Sequence, residues 1–232
     1  MTPVLELSGI QKRYQSLRPL RLQRLTIAPG ERVALSGFDA GAAEVLVNLV
    51  TGASLPDHGD VRVLGRPTSE IVDGEAWLSS LDRFGIVSPR GVLLDSATVL
   101  QNIALVFTLE IDPVPPDTAA RVAALARECG IDDVAVVTAE VPAPIRARVH
   151  FARAVALEPA LLILEHPTLG IDESEVEQLA QDVAAVAERR ALAALIITQN
   201  ERFAARAAHR ALRLEPATGG LKPVGSAKAR SE

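Results

Sequence analysis

Short apolar runs bounded by turn residues alternate along the chain with segments whose apolar residues recur every three or four positions. That alternation predicts a largely parallel sheet joined by crossover helices. Val4–Leu7 and Leu22–Ile27 read as strands, the second ending at the turn pair Pro29-Gly30. Arg32–Ser36 (RVALS) reads as a buried strand running into a loop of small residues, Gly37–Ala43. The loop opens onto a helix expected over Glu44–Thr51 and stopped by Gly52. Asp60–Leu64 is expected at a sheet edge, and Phe84–Val87 as a further strand.

From about Ser96 to Glu140 the pattern changes to helices interrupted by the proline-rich stretch IDPVPPD. Asp117 is placed to cap a helix running through Cys129, with Gly130 as its stop. Ile145–Leu157 reads as helical, and Ala160–Leu164 (ALLIL) is the most strand-like run in the chain. Glu173–Arg190 is an amphipathic helix with Val176, Leu179, Val183 and Val186 on one face. Leu195–Thr198 and Ala211–Leu214 are expected to close the sheet. The expected division is a core built from 1–95 and 146–215, a helical insert at 96–145, and a flexible tail at 216–232.

Composition narrows the class. The chain has 232 residues, 48% of them hydrophobic, which is ample for a buried core. A formal net charge of −5 and only 3% aromatic residues argue against nucleic acid as a partner. The single cysteine cannot form an internal disulfide, and the opening residues lack the apolar stretch of a secretory signal. A reducing, cytoplasmic setting is therefore expected. His58, His150 and His209 lack the spacing of metal ligands, so no metal site is expected.

The order of landmarks carries a resemblance. A strand, a glycine-containing loop, a helix ending in Thr51-Gly52, a helical insert opened by Thr98-Val99-Leu100-Gln101-Asn102, and then Phe151–Asp172 (FARAVALEPALLILEHPTLGID) follow one another over nearly the whole chain. In this the chain resembles the nucleotide-binding subunit of an ATP-binding cassette (ABC) transporter. The resemblance implies an α/β fold: a P-loop NTPase-like (RecA-like) core with a mostly parallel sheet, an N-terminal antiparallel β part and an α-helical subdomain.

It also identifies the working positions, and there the residues depart from the family. In the phosphate-loop motif G-x-x-x-x-G-K-[ST], backbone N–H groups and a helix N-terminus cradle phosphates, Lys neutralises them, and the hydroxyl holds Mg²⁺. The eight positions here read Gly37, Phe38, Asp39, Ala40, Gly41, Ala42, Ala43 and Glu44. The lysine is thus Ala43, and a carboxylate stands at the Mg²⁺ ligand. A turn satisfied internally, with Asp39 or Glu44 as its anion, is the alternative use of this segment. The Asp-Glu pair that orders Mg²⁺ and polarises water is Glu165-His166, and His166 is a poor replacement base, otherwise a surface imidazole. The switch histidine is Gln199, the Mg²⁺-sensing glutamine is Pro89, and the signature L-S-G-G-Q is Val141, Pro142, Ala143, Pro144, Ile145.

What persists is Tyr14 at the adenine-stacking position (or simply packed), Gly37, Asp39 and Gly41 as remnants of the phosphate loop, and Asp172 at the subunit interface. The rim that would receive a helix of the membrane subunit holds Arg90, Leu93 and Leu94, the two leucines alternatively anchoring the insert to the core. Losses concentrated at chemical positions imply a pseudo-ATPase: a structural or regulatory partner of a transmembrane permease, homo- or heterodimeric with another ABC subunit, peripheral on the inner face of a membrane. ATP and Mg²⁺ would bind weakly, if at all. The competing readings are a divergent but active ABC ATPase or nucleotide sensor, with Arg90 or an arginine of a partner supplying the missing cation, and an interaction module detached from any transporter.

Overall fold

The computed structural model describes residues 2–224. In chain order the strands are β1 (Leu5–Lys12), β2 (Leu20–Ile27), β3 (Arg32–Ser36), β4 (His58–Val63), β5 (Arg66–Pro67), β6 (Phe84–Val87), β7 (Leu161–Glu165), β8 (Ala193–Ile197), β9 (Arg210–Glu215) and β10 (Gly220–Pro223). The helices are α1 (Ala40–Val50), α2 (Gly74–Leu81), α3 (Val99–Ala104), α4 (Pro116–Glu128), α5 (Ala143–Val155), α6 (Glu173–Arg189) and α7 (Glu201–Ala207).

Two sheets organise the molecule. The first is antiparallel, in the order β2-β1-β4-β5. Its inner face alternates on either side of an irregularity near Gly9, which switches the buried parity: Leu5 and Leu7, then Ile10, on β1 and Leu20 and Leu22, then Leu25 and Ile27, on β2 are buried. The second runs β10-β9-β3-β8-β7-β6, parallel throughout except for β10. Every residue of β7 and β8 is buried, as strands covered on both faces require. Successive side chains divide between two cores. Val33, Leu35, Leu161, Ile163, Leu195 and Ile197 pack with α1 and the antiparallel sheet. Ala34, Leu162, Leu164 and Ile196 pack with α3, α4, α5 and α6. The fold expected from the resemblance is the fold observed.

Several local expectations need correction. Helix α1 starts at Ala40, four residues before Glu44, because Asp39 caps it there and the small residues of the loop join its first turn. β4 lies inside its sheet between β1 and β5, so it is not an edge. Pro115 and not Asp117 occupies the cap position of α4, with Pro116 at the first helical position where its missing N–H costs nothing. The segment expected to fray from Pro216 is a hairpin: β10 pairs antiparallel with β9 through Leu221↔Leu214 and its neighbours. The rest of that expected tail, from 225 onward, lies outside the described residues. Cys129 is fully buried, and burial, aided by the Glu128 charge, pushes its thiol up to about 12, so it is a chemically quiet core group.

Candidate functional site

The carboxyl ends of β3, β6, β7 and β8 point the same way, and the segments that leave them carry nearly all the residues singled out above. Open parallel sheets bind their ligands in such crevices. β3 is followed by only three residues, Gly37–Asp39, before α1 begins. Gly37 has φ +86°, and a Cβ there would sit 2.9 Å from the Leu214 carbonyl oxygen, so the turn needs glycine. Asp39 then caps the helix: its Oδ1 accepts from the Ala42 N–H at 2.7 Å, and its carbonyl accepts from the Ala43 N–H at 2.9 Å. The Ala42 and Ala43 side chains are buried in the core, at 5% and 0% exposure. Phe38 is buried too. From β8 the Gln199 amide closes over this turn, donating through Nε2 to the Phe38 carbonyl at 2.5 Å and accepting from the Gly37 N–H at 3.4 Å. The Gly37, Ala42 and Ala43 N–H groups thus bond within the chain.

β7 and β6 bring the charged residues together. Glu165, the last residue of β7, is 2% exposed. An ionised carboxylate so buried requires a partner. That partner is Arg90, whose Nη1 and Nη2 donate to the two carboxylate oxygens at 3.0 and 2.7 Å in a bidentate fork. Arg90 comes from the loop after β6, where its own N–H donates to Ser88 Oγ at 3.2 Å. Gly85 lets β6 pack closely on α5, since a Cβ there would lie 2.1 Å from the Ala154 carbonyl oxygen. Glu44, in the second turn of α1, lies 3.6 Å from Arg90 Nη1. One guanidinium therefore spans Glu165 and Glu44, the two carboxylates that the resemblance places at metal-ligand positions, tying α1, β6 and β7 across the crevice. Among the described residues, no group of three His, Cys, Asp or Glu side chains is arranged to hold a metal ion.

This geometry corrects the docking rim expected from sequence. Leu93 is 5% exposed and belongs to the core beneath α3 and α5, so it anchors its loop and faces no partner. Arg90 turns inward to Glu165 and does not edge a hydrophobic contact. Leu94, at 45%, and Val92, at 73%, remain exposed.

The other predicted residues are scattered. Tyr14 is half-buried with its ring edge at the start of α1, where a Cβ on Gly41 would be 3.3 Å from Tyr14 Cε2. It lines a cavity of about 290 Å³ with Gly37, Asp39 and Leu214. His166 adopts φ +47° in the tight turn after β7; its N–H donates to the Ile197 carbonyl at 2.8 Å and its carbonyl accepts from the Leu169 N–H. Pro89 is exposed, and so is Asp172, which precedes α6 without a side-chain capping bond.

One positioning residue was not recognised from sequence. Asn102, fully buried on α3, accepts from the Leu94 N–H at 2.8 Å and donates to the Leu94 and Thr98 carbonyls and to Thr138 Oγ1. The run Thr98–Asn102 carries the signal, because Thr98 and Gln101 form a capping box that fixes the helix start. Asn102 thereby holds the far end of the Arg90 loop. Asn102→Ala is expected to destabilise the chain by about 2–3 kcal/mol by leaving buried backbone groups unpaired, read from the urea unfolding midpoint.

A family model described as ABC transporter matches residues 20–169. The ATP-binding protein LolD of a lipoprotein-releasing system, from Alcanivorax borkumensis, is 29% identical over 210 residues, covering 88% of this chain and 92% of its own. Among solved structures, cbiO1 from Clostridium perfringens, part of the ABC transporter complex cbiONQ, superposes with a TM-score of 0.79 at 20% identity, over 96% of this chain and 88% of that one. The dimeric bacterial ABC transporter cassette MJ0796 gives 0.74 at 21% identity, over 90% and 94%. No helix among the described residues is long and apolar enough to cross a membrane. Matched over more than half its length and folded as these cassettes are, the chain belongs to the ABC transporter ATP-binding domain family.

Proposed function

We propose that this chain is a non-catalytic ABC subunit, a structural or regulatory partner of a transmembrane permease that does not depend on ATP turnover. The observation that carries the reading is the Arg90 fork on Glu165. A guanidinium sits between Glu165 and Glu44, where the family resemblance calls for a metal ion. The phosphate loop supports the same conclusion. Its lysine position is Ala43, fully buried, and its Ala42 and Ala43 N–H groups are already bonded to Asp39. Three carboxylates, Asp39, Glu44 and Glu165, surround the crevice against one engaged cation, an arrangement that repels a triphosphate. These residues do not fit Mg²⁺ and ATP in the manner of the family.

In this reading the chain lies peripherally on the inner face of a membrane and pairs with another cassette chain, with Asp172 available for the subunit contact. Leu94 and Val92 offer the exposed apolar edge to the permease. The second reading, a divergent ATPase or nucleotide sensor, draws on the relatives' ATP-binding names and on the cavity beside Tyr14. Phosphate release separates the two. The purified chain is expected to release no phosphate from ATP·Mg²⁺ above the blank. A turnover of about 1 s⁻¹ or more, ordinary for an enzyme, that disappears in Glu165→Ala would establish the second reading instead.

A further inference from the structure

A second cavity, of about 240 Å³, lies away from the crevice, between the end of α1, strands β4 and β5, and α2. Its inner wall is apolar: Val50 is fully buried, Val63 is 7% exposed, and Ile71 and Phe84 are half-buried. Two arginines, Arg66 and Arg83, stand exposed among its lining residues. Among the described residues neither guanidinium makes an ion pair or a hydrogen bond, and the lining carboxylate Glu70 pairs with neither of them. The lining also holds Thr68, which is 5% exposed and whose hydroxyl has no hydrogen-bond partner among the described residues.

Helix α2 forms one side of this space. It buries no residue of its own; its own Asp73 caps its first turn, and Trp77 ties it to the end of α1. Asp73 Oδ1 accepts from the Ala76 N–H at 2.8 Å, and Trp77 Nε1 donates to the Thr51 carbonyl at 3.1 Å. Ala76, Ser79 and Ser80 of the same helix line the cavity.

We infer that this cavity is a binding site for a small amphiphilic anion, with a carboxylate or phosphate-monoester head and a short apolar body. Guanidinium groups are weakly hydrated and present a fork that matches both heads. The Thr68 hydroxyl supplies a further hydrogen bond, and the Val50–Val63–Phe84 wall takes the apolar body. The volume falls below the usual range for drug-sized ligands, about 300–1,000 Å³, so the occupant is metabolite-sized.

Trp77 is the only tryptophan in the chain, and it fastens the helix that walls the cavity. Its emission is therefore a direct reporter. The full chain is titrated separately with octanoate, octyl phosphate, octanol and acetate, all below micellar concentrations. The expected result is a saturable change in Trp77 emission with octanoate or octyl phosphate, whichever head the site prefers. Octanol and acetate are expected to bind at least about tenfold more weakly. The double variant Arg66→Gln/Arg83→Gln should weaken binding by a similar factor, and Ser79→Phe should block it while melting stays cooperative. Equal affinity for octanol, an unaffected arginine double variant, or no saturable change with either anion would overturn the assignment.

Discussion

Replacing Arg90 with alanine is expected to lower the melting temperature by about 6–10 °C, corresponding to about 3 kcal/mol in a chain of this size. Glu165 is 2% exposed and receives both of its hydrogen bonds from Arg90. Removing the guanidinium leaves a buried anion without a counterion, and that penalty dominates the loss. The Arg90 side chain is itself 45% exposed, so water entering its place holds the cost at the lower end of the range for broken buried pairs. Two further variants separate charge from packing. Arg90→Ala/Glu165→Gln should recover at least half of the loss, because the amide no longer needs a cation. Arg90→Lys should recover little, since an ammonium cannot form the planar fork. A single variant that melts within about 1 °C of the wild type would show that the ion pair does not hold the crevice closed.

The larger expected effect is on nucleotide affinity. The triple variant Ala43→Lys/Glu44→Ser/Arg90→Gln is expected to bind ATP·Mg²⁺ about two orders of magnitude more tightly than the wild type. It places a cation at the phosphate-loop position, removes one repelling carboxylate, and withdraws the guanidinium from the metal position. Each unit charge placed about 4 Å from a phosphate is worth about 4 kcal/mol at an effective dielectric of ~20. Part of that gain is consumed, because Ala43 is fully buried and α1 already begins at Ala40. The introduced lysine must redirect the first helical turn before its ammonium can reach a ligand. Ala43→Lys alone, with Arg90 and Glu44 in place, should therefore gain much less. A triple variant that unfolds cooperatively and yet binds no better than the wild type would contradict this electrostatic account.

Much of the fold is legible in the sequence because its central strands are covered on both faces. RVALS and ALLIL can satisfy neither water nor a half-exposed sheet, and they form β3 and β7 close to where their patterns end. The 3.6-residue repeat of Val176, Leu179, Val183 and Val186 marks α6 for the same reason. The start of α1 is less legible. Ala40–Ala43 are small residues, equally suited to a loop or a first turn, and only the Asp39 cap decides between them. Helix α2 buries no side chain and so leaves no stripe to detect. β10 depends on pairing with β9 through a short hairpin, which its Gly- and Lys-containing sequence does not announce.

The site divides along the same line. The positions that converge on the crevice could be named one by one, because the family resemblance assigns each to a motif. Their pairing could not. Arg90 and Glu165 are 75 residues apart, and nothing in the run Pro89–Leu94 says which way the guanidinium turns. Leu93 and Leu94 are adjacent and chemically identical, yet one is buried and the other exposed, with the Asn102 amide gripping both the N–H and the carbonyl of Leu94. Long-range hydrogen bonds of that kind leave no periodic trace.

The measurement that bears most directly on a nucleotide-independent subunit is a calorimetric titration of ATP·Mg²⁺ into the wild-type chain. The expected result is no saturable heat, with a Kd weaker than about 1 mM, equivalent to a binding free energy of only ~4 kcal/mol. A saturable isotherm with a Kd below about 1 mM would contradict it, since it would require the Arg90–Glu165 pair and the capped phosphate loop to open for the nucleotide.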